Sequence, residues 1–400
     1  MKHPTESDRA SLLRAARRVV VKLGTSVVTG AGGEVSAARV GPLVRSMAAL
    51  RGEGRQVVLV SSGAVGLGAG RLGLARARLG DLVVRQACAA IGQSLLMHAY
   101  EQLFGARGVK IAQVLLTEDD FTDRQRYGNL RRVMEKLLKL GVVPVVNEND
   151  TVSAAELEYL PHSGGRVFSD NDRLAALVMS KLEADALILL TDVDGLLASS
   201  PANKPHASAA EEKVAVVPLV REITPELRAL AAGPSGVGRG GMLSKLDAAQ
   251  IAMSAGGVAV IASGRRPDTL ARVFAGEAVG TFFAPASRMH GKRRWIAYAA
   301  GVRGRVVVNA GAREAILRGK ASLLSSGVER VEREFEPLDV VSIADTDGRE
   351  FARGIANCAS REAAAHVNRE GEVRPGGAEG TRKARVLVTR DNIVILESAL

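Results

Sequence analysis

Residues 141–174 read GVVPVVNENDTVSAAELEYLPHSGGRVFSDNDRL. The stretch opens as a buried strand over 142–146 and then turns polar at Asn147, Glu148, Asn149 and Asp150. Further on, Ser169, Asp170, Asn171 and Asp172 open an apolar helix pattern carried by Leu174, Leu177 and Val178. Polar clusters at a strand's carboxyl end and a helix's amino end stand where open α/β sheets bind ligands. Asn offers donors and acceptors, whereas Asp offers acceptors only. Together they suit a small zwitterion with ammonium and carboxylate groups, or a phosphate with its metal. Either cluster alone is equally well read as turn and cap chemistry. Two in one chain, with the lysines described next, favour a site.

Toward the N-terminus, residues 19–26 read VVVKLGTS, a strand running straight into a Gly turn. Lys22 interrupts a β-branched run at a point where a central strand is normally apolar. Its ammonium can reach a phosphate at the strand's C-terminal edge, and Gly24 lets backbone approach closely. The competing reading is an edge-strand lysine that snorkels into water. Residues 35–51 have helical spacing, and residues 56–60 form a strand ending in Ser61-Ser62-Gly63-Ala64. Small residues at such a junction expose N–H and hydroxyl groups to a carboxylate or phosphate. A long helix follows over 82–104, with Val83, Val84, Ala87, Ile91, Leu95 and Leu96 as its apolar positions and His98 as a packing or surface residue. A strand over 110–116 and a helix over 131–140 lead back to the opening stretch.

Beyond Asp172 the pattern gives a helix over 173–182 and a strand over 186–190 closed by Thr191 and Asp192. A small, polar loop spans 198–213. SGVGRGG at 235–241 then precedes an apolar helix pattern from Met242, and 258–262 is a further strand. Strands alternating with helices on this scale predict a parallel, helix-covered sheet. Gly236 to Gly241 satisfies GxGxxG, but no strand leads into it, so the dinucleotide reading is rejected. A Gly-rich loop facing phosphate, followed by a helix N-terminus, accounts for it better. Lys245 lies in the first turn of that helix, where a cation opposes the helix dipole and calls for a compensating anion.

From residue 264 the chain changes character, with arginines around Trp295. Short strands are expected over 305–309, 328–335, 339–343, 350–355 and 386–395, with one small helix over 312–318. This reads as a compact β-rich domain. Residues 1–15 read as a disordered leader or a short helix.

Composition narrows the functional classes. The chain has 400 residues, ample for two domains and a large core. Its net charge of +11 is spread along the chain and biases it toward anionic ligands such as nucleotides. Aromatics make up only 3%, which argues against base-stacking platforms. The two cysteines have no CxxC spacing and the six histidines no HxxxH or HExxH, so zinc and disulfide frameworks are disfavoured. No apolar run is long enough to span a membrane, and the first residues lack a signal-peptide core.

VVVKLGTSVV, VSSGAVGLG, AAIGQSLLMHAYEQLF, VVPVVNENDTV, FSDNDRLAALVM, LLTDVDGLL and GRGGMLSKLDAAQIA occur in that order. They resemble the bacterial glutamate 5-kinase family, over roughly residues 17–396. The resemblance implies an amino-acid-kinase fold, a three-layer αβα sandwich around a mainly parallel sheet, with a C-terminal PUA domain. The implied division is an N-terminal extension at 1–16, a kinase domain at 17–290, a linker at 291–303 and the PUA domain at 304–396. The implied reaction is ATP plus L-glutamate giving L-glutamyl 5-phosphate and ADP, the first step of proline synthesis, in the cytoplasm. Mg²⁺ is expected to come with ATP, and no metal ligand is assigned to the protein. Proline is the expected feedback inhibitor, and a homodimer or homotetramer the expected assembly. PUA domains often serve RNA, so nucleic acid is an optional partner rather than a required one.

Carried over by position, Lys22 and Lys245 would clamp the transferring phosphoryl group and Asp172 would orient them. Ser62, Asp150 and Asn171 would hold glutamate, with Asn147 in support. Lys22, Thr191, Asp192 and the loop Arg239, Gly240, Gly241, Met242, Leu243, Ser244 and Lys245 would contact ATP. Arg239 stands where the family often has Thr, and ASSPANKP after Leu197 lacks the usual acidic signature. A glutamate side chain is already ionised at neutral pH, so positioning and cations suffice and no strong base is required. Three alternatives remain open: a kinase of the same fold acting on aspartate or acetylglutamate, an RNA-binding or RNA-modifying protein, and a catalytically dead relative. The appended β-rich domain with NEND, the phosphate-handling residues and the retained lysines weigh against them in turn.

Overall fold

The computed structural model describes residues 6–117, 119–152, 171–198, 215–231, 241–319, 321–367 and 385–396. The polar loop expected after residue 198, and a polar stretch at 368–383, lie outside them. The chain divides into two units, Met1–Asp120 with Arg124–Met289, and Phe121–Asp123 with His290–Leu400.

In the first unit the apolar runs become β1 (Arg18–Leu23), β2 (Gln56–Ser61), β3 (Ile111–Leu116), β4 (Val143–Glu148), β5 (Ala186–Thr191), β6 (Leu219–Val220), β7 (Val258–Ser263) and β8 (Thr281–Phe283). They form one eight-stranded sheet in the order β3-β4-β2-β1-β5-β7-β8-β6. All neighbouring pairs are parallel except β7 and β8. The helices up to residue 275 are α1 (Glu6–Ala15), α2 (Thr25–Val28), α3 (Ala37–Gly52), α4 (Ala64–Arg71), α5 (Leu82–Gly105), α6 (Asp119–Thr122, whose last two residues belong to the second unit), α7 (Arg124–Lys139), α8 (Asn171–Leu182), α9 (Pro225–Ala231), α10 (Met242–Ser254) and α11 (Thr269–Ala275).

Strand alternation sorts the core into two layers. Val19, Val21, Leu59, Val145, Ile188 and Val260 share a core with α3, α5 and α11 residues such as Val44, Tyr100 and Val273. The alternate positions, among them Val20, Val60, Val146, Leu189 and Ile261, are buried as well. Over that opposite face α8 packs on β1, α10 packs on β7, and the two helices pack on each other. Burial on both faces explains why these strands read as nearly continuous Val, Ile and Leu. The result is the expected αβα sandwich around a mainly parallel sheet.

Three local expectations change. β4 runs through Asn147 and Glu148, which pair with Leu115 and Leu116 of β3, so the polar cluster begins inside the strand. α5 buries Cys88, Ala89, Gly92, Gln93, Leu96, Tyr100 and Phe104. Val83, expected on the apolar face, is 70% exposed. The reason lies in close packing against α4: a Cβ on Gly92 would meet the Ala64 carbonyl oxygen at 1.7 Å. Small residues mark that contact, and an aliphatic count misses it. α7 begins at Arg124, before its expected start.

The second unit holds α12 (Gly291–Arg294), a π-turn (Trp295–Ala299), α13 (Ala310–Leu317) and α14 (Ser360–Val367). Its strands are β9 (Val302–Val308), β10 (Leu323–Leu324), β11 (Val328–Arg333), β12 (Val340–Ala344), β13 (Glu350–Ile355), β14 (Val386–Val388) and β15 (Ile393–Ile395). They form a five-stranded sheet, β11-β9-β12-β13-β15, and the separate pair β10-β14. The single strand expected over 386–395 is thus two, split by a turn at Arg390–Asn392 and paired in different sheets. Residues 291–303, expected as linker, are a helical segment running into β9, with Ile296, Ala297 and Ala299 buried. Val306, Val341, Ile343, Phe351 and Leu387 centre a separate core. Among the described residues, no helix is long and apolar enough to cross a membrane.

Candidate active site

Lys22 lies in the middle of the sheet. It sits opposite Val60 of β2 and Leu189 of β5, so β1 is an interior strand and the edge-lysine reading falls away. Alternation places it with Val20 on the face covered by α8 and α10. There Lys22 is only 4% exposed, Lys245 5% and Asp172 0%. The Lys22 Nζ lies 2.7 Å from Asp172 Oδ1, and the Lys245 Nζ lies 3.0 Å from Asp172 Oδ2. One carboxylate thus joins ammonium groups that are far apart in sequence. The trio carries two positive charges against one negative, an arrangement suited to an anion with at least one further charge. Burial works against the charge of Asp172, but the Lys22 and Lys245 ammonium groups overcome it and hold its pKa down, from 3.8 to about 2.

Helix geometry sharpens this pairing. Asp172 stands in the first turn of α8, where a negative charge is favourable, and Lys245 in the first turn of α10, where a positive one is not. Asp172 therefore supplies the anion that the sequence demanded for Lys245. Ser244 adds its hydroxyl, which donates to the Gly241 carbonyl oxygen at 2.8 Å and lies 3.3 Å from Asp172 Oδ2. Gly24 has an extended backbone, φ −72°, so its use is space rather than a special conformation. A Cβ there would come within 3.3 Å of the Leu190 carbonyl oxygen and 3.7 Å of Lys22 Nζ.

A second group of side chains meets at the same strand ends. Asn171 Nδ2 reaches Ser62 Oγ at 2.8 Å, Asn147 Oδ1 at 3.0 Å and the Ser61 carbonyl oxygen at 3.3 Å. Asn147 is buried, and its Nδ2 donates to Gln93 Oε1 at 2.9 Å. Ser62 donates its N–H to the Leu23 carbonyl oxygen at 3.1 Å, which ties this group to the end of β1. Gly63 follows at φ 109°, a left-handed turn that Gly makes without strain, and opens α4. Ser61 Oγ and the buried Tyr100 hydroxyl lie 2.7 Å apart. Burial pushes the Tyr100 phenol well above its ordinary pKa, against a smaller opposing effect of the Ser61 hydrogen bond.

The sequence-expected residues fall out as follows. Lys22, Asp172, Lys245 and Ser244 meet, and Ser62, Asn147 and Asn171 meet. Asp150 is half-buried in the turn after β4. Thr191 ends β5, buried, with its hydroxyl 3.1 Å from Asp192 Oδ1. Gly241 and Met242 are half-buried at the start of α10, and Leu243 is 39% exposed. Ser169, Asp170, Arg239 and Gly240 lie outside the described residues. His98 is a surface residue bonded to Gln102 at 3.1 Å. Gln93 and Tyr100 were missed, whereas Ser61 lies in the hydroxyl-bearing junction read from the sequence. The available signal was a polar pair, Gln93 and Tyr100, seven positions apart in a small-residue helix.

Known families and proteins match most of the chain. The model of the amino acid kinase family matches residues 17–263, and that of the PUA domain matches residues 304–372. A glutamate 5-kinase of Moorella thermoacetica is 43% identical over 98% of this chain and 100% of its own length. One of Myxococcus xanthus is 47% identical over 88% of this chain and 89% of its own, and one of Cupriavidus metallidurans 43% over 96% and 100%. With a buried cation pair on one carboxylate, an Asn–Asn–Ser cluster beside it and matches of this length, the chain belongs to the amino acid kinase family, among the glutamate 5-kinases, and carries a PUA domain.

Proposed function

We propose that this chain transfers the γ-phosphoryl group of ATP to the side-chain carboxylate of L-glutamate, giving L-glutamyl 5-phosphate and ADP, the first step of proline biosynthesis. The observation that carries this reading is the shared Asp172 carboxylate, which holds two lysines from distant parts of the chain beside the Asn147–Asn171–Ser62 cluster.

The barrier to this reaction is the approach of one anion to another. Lys22 and Lys245 face the transferring oxygens and offset that repulsion, and Asp172 holds both ammonium groups in place. A glutamate carboxylate oxygen forms the new bond to phosphorus as the bond to ADP breaks, and no proton needs to move. Asn171, Ser62 and Asp150, backed by Asn147, position glutamate for in-line attack. Thr191, Asp192 and the start of α10 from Gly241 to Ser244 bind the nucleotide, with Arg239 and Gly240 before them. Among the described residues, no group of three or more His, Cys, Asp or Glu is placed to hold a metal ion. Asp172 is engaged by lysines. The donor set therefore fits a Mg²⁺ carried on the nucleotide's phosphates, the binding mode this ion favours, where it neutralises phosphate charge.

The test is ADP release from ATP and Mg²⁺ in the presence of L-glutamate, L-aspartate or N-acetylglutamate, with and without proline. Turnover that depends on glutamate supports the proposal. Turnover with aspartate or acetylglutamate alone assigns the site to another acid kinase of the same fold.

A further inference from the structure

Helix α5 carries a polar side chain that no step above uses. Gln93 is buried in α5, whose other buried positions include Ala89, Gly92, Leu96 and Tyr100. A primary amide in such surroundings is costly unless its hydrogen bonds are made. One is made with Asn147, whose Nδ2 donates to Gln93 Oε1 at 2.9 Å. Gln93 Nε2 is buried with no hydrogen-bond partner among the described residues, so Oε1 is the side of the amide through which Gln93 acts on Asn147.

The consequence passes along the cluster. With its Nδ2 turned to Gln93, Asn147 turns Oδ1 to Asn171 and accepts from Asn171 Nδ2 at 3.0 Å. That same nitrogen reaches Ser62 Oγ at 2.8 Å. The nitrogen side of the Asn171 amide is thus committed inward, and its Oδ1 is the side offered to a ligand. An oxygen there attracts an ammonium group, whereas an amide flipped by half a turn would present N–H donors to it and repel it.

We infer that Gln93 is a positioning residue. It holds the Asn147 amide with Oδ1 toward Asn171 and, together with the Ser61 carbonyl oxygen that accepts from Asn171 Nδ2 at 3.3 Å, has Asn171 present a carbonyl oxygen to the α-ammonium group of the amino-acid substrate. This rests on the glutamate reading above and adds to it the origin of selectivity for an amino acid over a plain dicarboxylate.

The experiment measures KM for glutamate, KM for ATP, kcat and melting temperature in the full-length chain, with glutarate as a competing dicarboxylate that lacks the ammonium group. Gln93→Met keeps the volume but removes the acceptor, and Gln93→Glu keeps an acceptor toward Asn147. Gln93→Met is expected to raise the glutamate KM by roughly tenfold or more, the loss of a hydrogen bond to a charged group. Its ATP KM and glutarate inhibition are expected to stay within about twofold, inside the context scatter of a single contact. Gln93→Glu recovers most of the loss. Gln93→Met with Asn147→Ala is no worse than Asn147→Ala alone, since the two act in series. Should Gln93→Met fail to fold, Gln93→Asn, which withdraws the acceptor by one methylene, takes its place. The inference is overturned by an unchanged glutamate KM, or by equal losses for glutamate, glutarate and ATP in both Gln93→Met and Gln93→Glu, which would mark a packing role. A wild-type chain without glutamate-dependent turnover overturns the functional reading and this inference together, so the two failures are distinguishable.

Discussion

Replacing Asp172 by Asn keeps the shape of the side chain and removes its charge. Lys22 and Lys245 then face each other across a neutral amide. Carboxylate oxygens are about 2.2 Å apart, so distances of 2.7 and 3.0 Å place the two ammonium nitrogens within about 8 Å of each other. At an effective dielectric of about 20 their repulsion is then at least about 2 kcal/mol. The same two ammonium groups hold the Asp172 pKa below its ordinary value, so the ionised carboxylate stabilises the folded state. Breaking a buried ion pair by removing one partner costs about 3–5 kcal/mol once lost hydrogen bonds are included. For a unit of this size that lowers the melting temperature by roughly 10 °C. Because the folded pKa lies below the unfolded one, the contribution is complete above pH 3.8 and disappears as pH falls through about 2. Asp172→Asn should therefore be less stable than the parent at pH 7 and converge with it in strong acid. ATP should stabilise the variant more than the parent, since the triphosphate replaces the missing anion, while kcat falls by about 10²-fold or more as the lysines lose their alignment. Scanning calorimetry with and without ATP, together with steady-state kinetics, measures each effect. A variant with parental melting temperature and kcat within about fivefold would refute the claim that Asp172 holds the cation pair, because the repulsion alone is worth more than tenfold.

Lys22→Ala and Lys245→Ala should each lower kcat by about 10²-fold or more, as loss of a phosphate clamp does, read in the ADP-release assay; near-normal turnover would remove that lysine from the machinery. Tyr100→Phe should cost about 1 kcal/mol in urea unfolding, because it leaves the buried Ser61 hydroxyl without its 2.7 Å partner. Gly92→Ala should cost about 1–3 kcal/mol by overpacking, since its Cβ would meet the Ala64 carbonyl oxygen at 1.7 Å, and an unchanged unfolding midpoint would deny the close α4–α5 contact. The acid limb of the glutamate kcat/KM profile should lie near the substrate's own pKa of about 4.3, because Asp172 stays ionised down to about 2; a limb fixed by the enzyme would stay in place with an acceptor of different pKa.

The features legible in the chain were those that broke a local rule. Burial on both faces of a parallel sheet leaves long Val, Ile and Leu runs, so β1, β2, β5 and β7 could be read directly and Lys22 stood out against them. Lys245 stood out because its charge opposes a helix dipole. What compensates it could not be read, since Asp172 lies 73 positions away and only the packing of α8 on α10 joins them. The buried face of α5 was misassigned because Gly92 and Gly68 interlock with facing backbone, where aliphatic periodicity carries no signal. Gln93 was missed for the same reason. The polar end of β4 was taken as a turn because Asn and Glu are weak strand formers, yet cross-strand pairing with Leu115 and Leu116 overrides that preference.

Asn171 and Asp172 are adjacent, and their side chains serve different clusters. The amide of Asn171 joins the Ser62–Asn147 cluster, and the carboxylate of Asp172 joins the two lysines. Consecutive positions on a helix point about 100° apart, so the first turn of α8 can address both faces of the strand ends at once. A rotation or slide of α8 must then displace both clusters together. This gives the two halves of the proposed reaction, holding the acceptor and stabilising the transferred charge, one rigid support. Effects on substrate binding and on turnover should therefore separate only for residues that reach one cluster alone. Gln93, which acts through Asn147, and Lys245, which acts on the carboxylate, are such residues, whereas changes to the packing of α8 itself move KM and kcat in step.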